Sequence, residues 1–164
     1  MRRILAPVMV WLAVGCISTT AQSVPMQLYG RWAVRRVLPT TTITCWGEKD
    51  VKGVIGTQIE YSDKVFRWKN ITVTNPKAET RTLTARQFHD ENSGIGSDSS
   101  QVTFQQVGIR AEQATQVNIS HEPAQITKAT TEIPGDQVLL KDADTIVFSV
   151  CNVYFEAVRI QSNK

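Results

Sequence analysis

From Tyr29 onward the chain repeats one pattern: a short run in which apolar and polar side chains alternate, followed by turn-forming residues. Successive side chains of an extended strand point to opposite faces, so a period of two gives each run one oily side. In Thr57-Gln58-Ile59-Glu60-Tyr61 the oily side carries Ile59 and Tyr61. Ser62-Asp63 then turns the chain, and Lys64-Val65-Phe66-Arg67-Trp68 returns with Phe66 and Trp68 aligned, which predicts a hairpin. In Trp32-Ala33-Val34-Arg35-Arg36-Val37-Leu38, Arg36 falls on the same face as Trp32, Val34 and Leu38. A bulge, or the strand's end, has to accommodate that arginine.

Residues 101–107 and 115–120 predict further strands. Pro134-Gly135 suits the two central positions of a type II turn, where proline presets φ and glycine accepts a positive φ. It separates residues 126–133 from Val138-Leu139-Leu140. Asp142-Ala143-Asp144 turns into Ile146-Val147-Phe148-Ser149-Val150, and Asn152 breaks the chain before 153–160. Strands at this spacing predict an all-β domain, a single antiparallel barrel or a closely related sandwich. At most one short helix is expected, near 84–91, where Thr84-Ala85-Arg86-Gln87 has the capping-box pattern.

The first residues read differently. Arg2 and Arg3 precede a 12-residue, mostly apolar stretch, 4–15, and small and polar residues follow. That order is the signature of a secretory signal, and the apolar stretch falls short of the roughly 20 residues a spanning helix needs. Thr19-Thr20-Ala21 places cleavage after Ala21, giving a 1–21 signal peptide and a single 22–164 domain, secreted or periplasmic. Val14-Gly15-Cys16 offers a competing exit, the end of a lipobox, in which Cys16 is lipidated and tethers the protein to a membrane.

Cleavage after Ala21 removes two of the 18 basic residues and none of the 15 acidic ones, leaving a net charge near +1. Binding to nucleic acid needs a concentrated positive patch, so that class is set aside. Cys45 and Cys151 remain, and in an exported chain their simplest use is a disulfide, free thiols or a metal pair being the alternative. His89 and His121 stand apart from both cysteines, and no metal ligand set, phosphate loop or dinucleotide motif is present. No catalytic residue and no cofactor is assigned.

Gly30-Arg31-Trp32, opening the first long strand, resembles the G-x-W signature of the lipocalin and avidin-like (calycin) barrels. In those families the Trp closes the barrel's base and an Arg of the last strand packs across it. Arg159 stands at the matching place. The resemblance implies a structural pair, Trp32 and Arg159, joined by a cation–π contact.

The expected function is that of an exported, non-catalytic, lipocalin-like protein that binds a small apolar or amphipathic ligand, with Tyr61, Phe66 and Trp68 as ligand-binding candidates. The alternative is a protein-binding module, such as an inhibitor of a secreted or periplasmic enzyme. Its contact surface would be the polar, Gly/Ser-rich loop 89–100, which otherwise serves as a plain solvated connector.

Overall fold

The computed structural model describes residues 22–40, 44–92, 102–121 and 132–161. The expected signal segment, Cys16, and most of the 89–100 loop and of the 126–133 run lie outside the described residues. Ten strands make one antiparallel sheet. They are β1 (Gln22–Ser23), β2 (Gly30–Val37), β3 (Gln58–Tyr61), β4 (Val65–Trp68), β5 (Ile71–Thr74), β6 (Lys77–Thr84), β7 (Gln113–Ser120), β8 (Gln137–Leu140), β9 (Thr145–Val150) and β10 (Val153–Arg159). The all-β expectation holds.

The order across the sheet is β1-β6-β7-β8-β9-β10-β2-β3-β4-β5. From β2 onward, strands next to each other in sequence are therefore paired, and β10 returns to pair with β2. The one interruption falls between β5 and β6, where the chain passes through Asn75 (φ 49°) and Pro76. Proline has no N–H to donate and suits such a sheet boundary. The result is a curled half-barrel with β1 lying along the β6 side of the opening.

The predicted hairpin forms in the predicted register, with Ile59 opposite Trp68 and Tyr61 opposite Phe66. Pro134-Gly135 makes its turn: Gly135 has φ 92°, and the Asp136 N–H donates to the Ile133 carbonyl at 2.9 Å. A side chain at Gly135 would meet the Tyr61 hydroxyl oxygen at 2.5 Å, so the turn is tucked tightly against the core. The Arg36 problem is solved by a bulge. Glu156 pairs with Arg36 but Ala157 pairs with Val34, leaving Arg35 as the extra residue of β2. Beyond the bulge the faces exchange, so Val37 packs inward while Arg36 and Leu38 turn outward.

One core fills the concave side. It draws Trp32, Ile59, Tyr61, Phe66, Val73, Val117, Phe148 and Phe155 from strands all around the curl. The hydroxyl of Tyr61 donates to the Gly135 carbonyl at 2.7 Å, tying β3 to the far side of the sheet. A second core covers the convex face of β6–β10, where Leu83, Leu139, Val147 and Tyr154 meet Phe88, Phe104 and Val107. Strands β8 to β10 are thus buried on both faces, which is why Ile146-Val147-Phe148 is apolar without alternation.

Two sequence expectations are corrected. The described residues hold two short α-helices rather than at most one: α1 (Glu48–Lys52) joins α2 (Ala85–Asn92), the latter capped by Thr84 and Gln87 as its sequence predicts. Helix α1 is only five residues long and buries none of them, so it leaves no amphipathic signature. The 101–107 run is not a strand over its described part, 102–107. Thr103 and Gln106 bond each other, and Val107 and Ile109 donate back to the Thr103 and Phe104 carbonyls, winding the segment into turns. Val102, Phe104, Val107 and Ile109 are buried all the same, as the lid of the second core.

Candidate functional site

The residues expected at the ends of the chain meet as expected. The Arg159 guanidinium lies 4.1 Å from the centre of the Trp32 ring. It also donates to the carbonyls of Tyr29 (2.5 Å), Gln27 (2.6 Å) and Ala143, while the Trp32 indole N–H donates to Leu28. These contacts tie residues 27–29 to β2, to β10 and to the turn before β9. Cys45 and Cys151 form the expected disulfide, with Cα atoms 5.5 Å apart. It joins the approach to α1 to the β9–β10 turn, where Cys151 and Asn152 both take positive φ.

The three aromatic candidates divide. Tyr61 and Phe66 stack on each other with ring centres 5.4 Å apart, and both are wholly enclosed by protein. Trp68 is half-buried at the rim, donating to the Thr57 hydroxyl at 3.0 Å beneath the Lys69 ammonium. A ligand meeting Tyr61 or Phe66 would require the core to open. Burial, helped by the charge of Asp136, raises the Tyr61 hydroxyl pKa well above that of a free tyrosine.

A roomier cleft instead lies on the convex face, with a volume of about 950 Å³. Three separate features of the chain build it. The β2 bulge turns Arg36 outward, and the pairing register sets Glu156 of β10 beside it. Lys141, at the end of β8, reaches the same carboxylate from the other side. The turn segment then brings Gly108, Ile109, Arg110 and Ala111 along the opposite wall. Gly108 has φ 76°, and a Cβ there would fall 2.8 Å from the Lys141 ammonium, so a side chain at this position would collide with the lysine.

Glu156 anchors the cleft. The Arg36 guanidinium donates to both of its oxygens, at 2.9 and 3.2 Å, and the Lys141 ammonium donates at 2.7 Å. Its side chain is 11% exposed against 62% for Arg36, so the carboxylate sits deep and the guanidinium reaches into solvent. The Arg36 hydrogen bonds, reinforced by Lys141, hold the carboxyl below the usual glutamate range against the opposing pull of burial. A carboxyl whose pKa is depressed on folding contributes stability above its unfolded value, about 4.3, and loses that contribution as pH falls through the folded value. Stability should therefore drop as pH falls below about 5, and Glu156→Gln should flatten that part of the profile. Urea midpoints measured across the range check this, and an unchanged slope would count against it.

A smaller cleft of about 340 Å³ lies elsewhere on the convex face, lined by Asn118, Gln137, Ser149, Glu132 and Asp136. Asp136 accepts from the Ile133 N–H at 2.9 Å and pairs with His121 Nε2 at 3.2 Å. Burial is the largest influence on its carboxyl and raises its pKa despite those bonds. Among the described residues, the Asn118 Oδ1 and His121 Nδ1 atoms are buried without a partner. His89 and its neighbours through Asn92 belong to α2 rather than to a loop, and His89 faces Asp90 at 3.4 Å. Among the described residues no three His, Cys, Asp or Glu side chains converge to hold a metal ion, and no helix is long and apolar enough to cross a membrane.

Sequence reasoning did not find the convex cleft. Arg36, Arg110 and Lys141 are far apart in the chain, and the one signal that singles any of them out is the misfit of Arg36 in its alternation. No family model, no curated protein and no solved structure matches this chain, so its function has to be read from its own residues.

Proposed function

We propose that this chain is an exported, non-catalytic binding protein for a small amphipathic ligand, held in the convex cleft rather than among the core aromatics. The observation that carries the reading is the cleft: about 950 Å³ of concave space with cationic groups at Arg36, Arg110 and Lys141 beside Ile109 and Ala111. Small-molecule sites combine space, apolar wall and a few polar groups in this way. The disulfide and the basic-apolar start of the chain support export to an oxidising compartment, secreted or periplasmic.

Native mass spectrometry of protein purified from its own host tests the reading. A small molecule should travel with the wild-type chain. Ala111→Trp should displace it, because Ala111 is an exposed part of the wall and a large ring there fills the cleft without touching either core. A chain that carries no small molecule, or an Ala111→Trp variant that keeps it at full occupancy, would overturn the assignment.

A further inference from the structure

We infer that the group recognised in the convex cleft is a single negative charge, a carboxylate or a sulfate ester, bridging Arg36, Lys141 and Arg110. The inference rests on the reading of that cleft as the ligand site and adds the chemistry of its ligand. Three cationic side chains line the cleft together with one carboxylate, Asp142, and Glu156 forms its anchor. One positive charge is left uncompensated.

The three cations are not equivalent. Arg36 and Lys141 are already engaged by Glu156, which fixes their direction without using all their donors: a guanidinium has five N–H groups and an ammonium three. Arg110 is exposed and, among the described residues, has no ion pair or side-chain hydrogen bond. Like charges lining one cleft repel each other, and an anion entering between them relieves that repulsion while accepting charge-assisted hydrogen bonds. Glu156 is thus a positioning residue: it holds two donors ready and cancels enough charge that a monoanion, rather than a dianion, completes the balance. Asp142 is partly occupied, since one of its oxygens accepts from the Asp144 N–H at 2.9 Å.

Calorimetric titration of the mature chain with four single-chain probes, each below its micelle concentration, tests this. Octanoate and octyl sulfate should bind. Octyl glucoside and octyltrimethylammonium, with the same tail and a neutral or positive head, should bind at least about tenfold more weakly. Arg110→Ala should weaken octanoate by about tenfold, the usual scale for losing a hydrogen bond to a charged group. Asp142→Asn should strengthen it by a few-fold, and 0.5 M salt should weaken it, as screening requires. Equal affinity for octanoate and octyl glucoside, or no effect of Arg110→Ala, would overturn the inference while leaving a ligand in the cleft. A chain that binds no anionic probe, yet carries a small molecule from its host, would also overturn it. Failure of every probe together with an empty native spectrum would remove the underlying reading as well.

Discussion

Reduction of the Cys45–Cys151 bridge is expected to lower stability by about 4 to 5 kcal/mol, the chain-entropy value for a loop of this length. The cysteines are 106 positions apart, so the bridge encloses most of the described chain. Without it the unfolded ensemble gains the freedom that the link denies, while the folded state loses little contact area. Cys151 occupies a positive-φ position at the β9–β10 turn, and its N–H donates to Glu132 at 2.6 Å, so the native turn has local support of its own. The effect should therefore appear as a lower urea midpoint with strand content retained in the absence of denaturant. Paired measurements with and without reductant, and on the Cys45→Ser/Cys151→Ser double variant, check it. A loss under about 1 kcal/mol would mean that the unfolded chain stays compact without the link.

Trp32→Ala should cost roughly 3 to 5 kcal/mol, the range for removing a fully buried large aromatic. Trp32 has no exposed surface, its indole N–H satisfies the Leu28 carbonyl at 2.8 Å, and Arg159 lies across its ring. Truncation opens a cavity, orphans a buried carbonyl and removes the platform under the guanidinium. Trp32→Phe keeps much of the apolar volume but neither the N–H nor the wider ring, and should fall between the two. Chemical denaturation of the three proteins orders them. If the Ala variant lost less than about 1 kcal/mol, the base of the half-barrel would not be the keystone that its contacts describe.

The parts of the fold that were legible share one property: their signal is local. Ile59, Tyr61, Phe66 and Trp68 announce a hairpin because alternation and turn lie within a dozen residues. The Arg36 misfit announces a bulge for the same reason, and Thr84 with Gln87 announces a helix start. The 101–107 run misled because burial and conformation come apart over its described part, 102–107. Its apolar residues belong to a core, as the run implies, but the Thr103–Gln106 side-chain bond closes the backbone on itself instead of offering it to a neighbouring strand. The convex cleft was illegible for a further reason. Arg36 reads only as a misfit in its strand, Arg110 and Lys141 carry no signal of their own, and only the face exchange at Arg35 and the fold-back at Gly108 bring them to one place.

The unequal covering of the sheet divides the molecule into two arcs that can tolerate different histories of substitution. Along β2 to β5, Arg31, Arg35, Gln58, Arg67 and Thr72 face water, and exchange among polar residues there disturbs no packing. Along β8 to β10 there is no such freedom, since Leu139, Ile146, Val147, Phe148, Tyr154 and Phe155 occupy both sides of the wall. A lineage carrying this architecture would drift quickly on the first arc and slowly on the second. Its members would share an unbroken apolar stripe near the C-terminus more faithfully than any surface letter.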